Sequence, residues 1–125
     1  MNVEGKEIGF RRTVLANCKL TEAAPDRNIS RFFKEKILSP DYAVAQTAAA
    51  QFIAAMNEGH EQYLHFLDPE HKPDPVKPEA LLSLDEATFN ALYQEALKVY
   101  TEDGKVTVEV APPKGKKTVN RGASN

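Results

Sequence analysis

His60-Glu61-Gln62-Tyr63-Leu64-His65 sets a glutamate beside two histidines, residue types that hold zinc when the histidines stand four apart on one helix face. Here they stand five apart, about 500° of helical rotation, so the rings diverge by roughly 140° and cannot share an ion without a third ligand reaching around. Glu61 and His65 have the spacing of an exposed helix-surface pair worth a few tenths of a kcal/mol, and that is the expected arrangement. Asp85, Glu86 and Glu95 offer carboxylates for acid–base work. The first two suit a helix start, and Glu95 lies about two turns further on. Cys18 stands alone, which rules out an internal disulfide, and its helical spacing from Val14 predicts a small core residue without an activating base. Gly5 and Gly9 open no phosphate-binding loop, and no serine occupies a strained strand-to-helix elbow. The residues thus predict no catalytic group, no cofactor, no metal and no enzyme.

Composition agrees with that reading. At 125 residues with 42% apolar and 27% charged side chains, the chain has the balance of a soluble globular protein with one core. A net charge of −2 gives no general attraction to nucleic acid. No apolar run approaches the roughly 20 residues of a membrane span, and the N-terminus lacks the apolar centre of a signal peptide, so a cytosolic protein is expected.

The elements that would position any site are mostly helices. Val3–Phe10 and Lys105–Val110 alternate apolar and polar residues as short strands do, with Gly5 suited to the turn of an N-terminal hairpin and the two chain ends expected to meet. Thr13 is placed to cap a helix carrying Val14, Leu15, Cys18 and Leu20, which the Pro25–Asn28 loop ends. Asn28 then caps a helix bearing Ile29, Phe32, Phe33 and Ile37 before Ser39-Pro40. From Asp41 the recurrence of Tyr42, Ala45, Ala49, Phe52, Ile53 and Met56 predicts the central helix, with Gly59 as its end or pivot and a brief further helix over Gln62–Leu67. Four prolines between Asp68 and Pro78 require an extended connection, read as a strap across the surface in preference to a domain boundary. Pro78–Leu82 suits one helical turn. Ser83 with Glu86 fits a capping box for the last helix, whose stripe is Phe89, Leu92, Tyr93, Ala96, Leu97 and Tyr100. The expected fold is therefore α+β and mainly helical: a single domain over 1–110, with a hairpin and a short C-terminal strand flanking about five to six helices. A disordered basic tail over 111–125 follows, with Lys114, Lys116, Lys117 and Arg121 as a solvated run.

As an ordered set, these phrases resemble the tail assembly chaperones of long-tailed bacteriophages and prophages, over residue 2 to about 110. The phrases are Val3-Glu4-Gly5-Lys6-Glu7-Ile8-Gly9-Phe10-Arg11, the helix ending before Pro25, the Ala-rich central helix, the proline-rich connection, and Leu81-Leu82-Ser83-Leu84-Asp85-Glu86-Ala87-Thr88-Phe89-Asn90-Ala91-Leu92. The resemblance implies a non-enzymatic protein of the bacterial host cytoplasm that coats the helical tape-measure protein, keeps it soluble and helps recruit major tail protein subunits. It also implies self-association and an exposed apolar surface able to receive an amphipathic helix, for which Phe32, Phe33, Tyr63 and Phe66 are the candidates, although each also suits an ordinary core. Many such proteins have a longer form made by ribosomal frameshifting. Lys114-Gly115-Lys116-Lys117 is compatible with a slippery coding run, which would make the tail a tether to a second domain. The alternative is a small cytosolic adaptor that binds one folded partner. A DNA-reading version is disfavoured because the helix expected over Tyr42–Met56 carries no lysine or arginine.

Overall fold

The computed structural model describes residues 1–103; the strand expected over Lys105–Val110 and the tail over 111–125 lie outside the described residues. The architecture is α+β and mainly helical. Asn2–Val3 (β1) pairs antiparallel with Lys6–Glu7 (β2), Val3 facing Lys6. Glu4 and Gly5 take φ of 49° and 93°, the two positive values that give a type I′ turn its match to the strand twist. The paired stretch is shorter than the alternation over 3–10 predicts. Ile8 enters the core, and the chain beyond it lies against the central helix, where the Arg11 amide donates to the Met56 carbonyl at 3.1 Å.

Helix α1 spans Val14–Ala23, and its first turn is capped by Thr13, whose hydroxyl accepts from the Ala16 amide at 3.1 Å. The face that packs is Ala16 and Leu20. Val14 is 80% exposed and Cys18 is exposed, which corrects the expected Val14–Cys18 core face. The reason is the close approach of α1 to the central helix, where a small side chain fits and a valine would not. After a 3-10 turn at Pro25–Arg27, Asn28 caps helix α2, Ile29–Arg31, which widens into a π-helical turn, Phe32–Ile37. In that turn the Leu38 amide donates to the Phe33 carbonyl five residues back. Arg31 fastens this corner, gripping Glu35 with two nitrogens at 2.5 and 3.0 Å and Asp26 with a third.

Helix α3, Tyr42–Leu67, is 26 residues long and is capped by Asp41, which accepts from the Val44 amide at 3.1 Å. It runs unbroken through Gly59, so the expected end there and the separate helix over Gln62–Leu67 are corrected. A Cβ at Gly59 would lie 2.4 Å from the Thr13 hydroxyl and 2.9 Å from the Arg11 carbonyl, so this glycine serves a close crossing and not a helix end. Ala48–Ala50 and Phe52–Asn57 are all buried, so the middle of α3 is covered over most of its circumference, with Gln51 left at the surface, and not along one narrow stripe. Tyr42, counted in that stripe, is 63% exposed.

Residues 68–77 lead back along α3 to helix α4, Pro78–Leu81, and then to helix α5, Glu86–Asp103. Asp85, not Ser83, caps α5: its carboxylate accepts from the Thr88 amide at 2.8 Å, while the Ser83 hydroxyl donates to the Ala80 carbonyl at 2.6 Å. Helix α5 lies beside α3 in the same direction. The Tyr42 hydroxyl donates to Glu86 at 2.5 Å near one end, and Tyr93 and Tyr100 pack on Phe52 further along. Phe32 and Phe33 complete this aromatic cluster, mostly in edge-to-face contacts with centroids 5.4–5.9 Å apart. Arg12 ties the far end. Its amide donates to Asp103 at 3.1 Å, and its guanidinium donates to the Tyr100 carbonyl at 3.0 Å while lying over the Tyr100 ring.

Candidate functional site

The last turns of α3 carry two of the large apolar side chains that the fold leaves exposed, others being Val14, Leu38, Tyr42 and Leu82 elsewhere on the surface. Phe66 is 80% exposed and Leu67 60%, adjacent at the end of a helix whose middle turns are buried. Tyr63, one turn earlier, is half-buried, with the Arg11 guanidinium 3.9 Å above its ring. The other two candidates belong to the core: Phe32 is fully buried, and Phe33 packs between Phe32, Phe52 and Tyr100. The structure therefore brings Tyr63 and Phe66 onto one end of the molecule, buries Phe32 completely and leaves Phe33 part-buried against the aromatic cluster. Periodicity on the π-helical turn could not separate these cases, because the wide turn lets both adjoining phenylalanines face inward.

Asn57, Glu61 and His65 on the same helix are occupied internally, whereas the buried Nδ1 of His60 has no partner among the described residues. Asn57, fully buried, donates from Nδ2 to the Gly9 carbonyl at 2.8 Å and accepts on Oδ1 from the Val76 amide at 2.8 Å. It joins the segment after the hairpin to the proline-rich connection. One turn later, Glu61 Oε1 accepts from His71 Nε2 at 2.9 Å and from the Asp74 amide at 3.0 Å. Burial pushes the Glu61 carboxyl up, but the Asp74 amide and the His71 ring outweigh it and hold the group below the ordinary glutamate range. Glu61 thus pairs with His71 and not with His65, as its four-residue spacing suggested; His65 instead donates from Nδ1 to the His71 carbonyl at 2.7 Å. His60 packs its ring against Gly9, where any side chain would collide with it, and desolvation pushes its pKa down. Neither Asn57 nor the role of Glu61 was singled out from the sequence; a lone asparagine in an alanine-rich apolar helix was the available signal.

The remaining reactive types are also accounted for. Asp85 is the α5 cap, Glu86 receives the Tyr42 hydroxyl, and Cys18 sits on the outer face of α1. Among the described residues, no three histidine, cysteine or acidic side chains converge as metal ligands, and no helix is long and apolar enough to cross a membrane. A surface depression of about 570 Å³ runs between α1, α3 and the proline-rich segment, lined by Ala54, Ala55 and Val76 together with Lys19, Glu58 and Lys77. Its lining mixes small apolar groups with flexible charges of both signs and has no converging polar set. Comparison with protein-family models, curated proteins and solved structures finds no match.

Proposed function

We propose that this chain is a non-enzymatic tail assembly chaperone of a long-tailed phage or prophage, acting in the bacterial cytoplasm to hold the tape-measure protein in solution and to help recruit tail-tube subunits. The ordered phrases of the sequence support this reading. The observation that carries it is the adjacent Phe66 and Leu67 at the exposed end of α3, an apolar pair that the core does not require and that an amphipathic helix can cover. Tyr63 and Arg11 border the pair and give it an aromatic, cationic edge.

The test is expression from the native stretch of DNA with the downstream genes, followed by mass spectrometry of what copurifies with the tagged chain. Recovery of a long helical protein, reduced at least fivefold by Phe66→Ser with Leu67→Ser while the thermal midpoint is unchanged, is the expected result. Recovery of one folded partner at fixed stoichiometry would replace this reading with that of an adaptor, and a pair of serines without effect would move the binding surface elsewhere.

A further inference from the structure

The connection between α3 and α4 is fastened in an unusual way. Of residues 68–77, only Val76 packs against the core, whereas α5 contributes Phe89, Leu92 and Ala96. The segment is held instead by polar attachments. The Val76 amide donates to Asn57, the Asp74 amide and the His71 ring both donate to one oxygen of Glu61, the His71 carbonyl accepts from His65, and the Asp74 carboxylate meets Lys6 at 2.7 Å. Four prolines stiffen residues 69–78, so the attachments act on a semi-rigid rod and not on independent links. Val76 is one wall of a mainly apolar surface slot of about 300 Å³, whose other walls include Val3, Ile8, Leu81 and Leu84, with Glu4 and Lys6 also lining it.

We propose that residues 68–77 form a detachable strap, held through Glu61 and released by acid as one unit while the helices stay packed, so that the slot that Val76 lines loses that wall. As a carboxylate, Glu61 accepts two hydrogen bonds on one oxygen; on protonation it loses the charge that strengthens both. The charged and titratable groups around it are His71 and Asp74 on the strap, Lys6 on β2, and on α3 His65, which holds the His71 carbonyl, and His60, which itself feels Arg11 and the N-terminal amine. Lys6 is already matched to Asp74, and His60 is turned under Gly9, so Glu61 is the group whose loss of charge unfastens the strap directly. Two attachments then fail together, and the stiff rod carries the Val76 amide away from Asn57. The cooperative unit is small because it buries one valine, and local opening of this kind is expected where polar links outnumber apolar contacts.

Amide hydrogen exchange resolved by NMR reads this residue by residue. Between pH 6.5 and pH 3, after correction for intrinsic chemistry, protection of the Asp74 and Val76 amides should fall together at least tenfold while Phe52–Met56 in α3 keep theirs. Glu61→Gln, which keeps the shape and removes the charge, should lower protection at Asp74 at pH 6.5 and abolish its dependence on pH. His71→Ala, at a part-exposed position, gives a second variant that should loosen Asp74 without touching α3. Exchange of Asp74 and Val76 only together with the α3 amides, equal protection at both pH values, or an unchanged pH dependence in Glu61→Gln would each overturn the proposal.

Discussion

Replacing Gly59 by alanine sets two opposed effects against each other at the crossing of α1 and α3. In an ordinary helix interior the change stabilises by about 1 kcal/mol, because glycine has the lower helix propensity. Here the new methyl carbon would sit 2.4 Å from Thr13 Oγ1, 2.9 Å from the Arg11 carbonyl oxygen and 3.3 Å from Ala16 Cβ. The threonine can rotate away only by giving up its bond to the Ala16 amide, which removes the α1 cap at a cost of about 1 kcal/mol. The Arg11 carbonyl is backbone, and moving it shifts a segment whose own amide is bonded to Met56, an overpacking strain of about 1–3 kcal/mol. The net expectation is a loss of about 1–3 kcal/mol, or a fall of about 4–20 °C in thermal midpoint for a domain of this size. Circular dichroism at 222 nm during heating, with urea unfolding as a check, reads it. A double-mutant cycle with Thr13→Ala sharpens the test: with the cap already gone, the cost of Gly59→Ala should shrink by about 1 kcal/mol. A Gly59→Ala protein as stable as the parent, or more so, would refute the crossing as the reason for this glycine.

Asn57→Ala strands the Gly9 carbonyl and the Val76 amide, and chemical denaturation should show a loss of about 2–4 kcal/mol. Phe33→Ala removes a ring from the aromatic cluster and should cost about 3–5 kcal/mol by the same measurement, whereas Phe66→Ala should stay within about 0.5 kcal/mol of the parent. The pH dependence has a fixed sign. His60 and Glu61 both have folded pKa values below their unfolded ones, so each contributes stability at neutral pH that is lost on acidification, His60 first as pH falls below about 6.5 and Glu61 below about 4.5. Urea midpoints should therefore decline in two stages, and His60→Gln should remove the first. Arg27 holds φ at 56°, a region costly for a side chain with Cβ, and Arg27→Gly should raise the urea midpoint by up to about 1 kcal/mol in stability.

Caps and turns were the most legible features of the sequence. Thr13, Asn28 and Asp41 start their helices as their side-chain chemistry requires, and Pro78 opens a single turn. Where two rules competed, context decided. Ser83 and Asp85 both suit a cap; the serine is taken up by closing α4, and the aspartate two residues later starts α5. Gly59 reads as a stop by propensity, and only the segment laid across it, distant in sequence, turns it into a crossing point. The packing face of α1 was hidden because Ala16 is too small to stand out beside Val14 and Cys18 in a hydropathy pattern. Of the four candidate aromatic residues, spacing could not tell core from surface, since Phe66 extends the apolar run of α3 into a turn that nothing covers in the described residues. The pairing of Glu61 with His71 spans a proline-rich segment whose path has no local code.

The burial of the middle of α3 has a bearing on how the domain comes apart. Each extensive packing between elements distant in the chain has α3 on one side: α1, the π-helical turn, α4 and α5 each dock on it. Such a hub-and-spoke layout makes the energetics close to modular, with each spoke adding its own docking free energy to a shared axle. Losing α1 exposes a strip of the axle, whereas the π-helical turn and α5 are also joined to each other through Phe33 and Tyr100, and a change on the axle is felt by every spoke at once. Substitutions at Phe52, Ile53 or Met56 should therefore melt the domain as a whole, and substitutions on the inner face of α1 should first detach that helix.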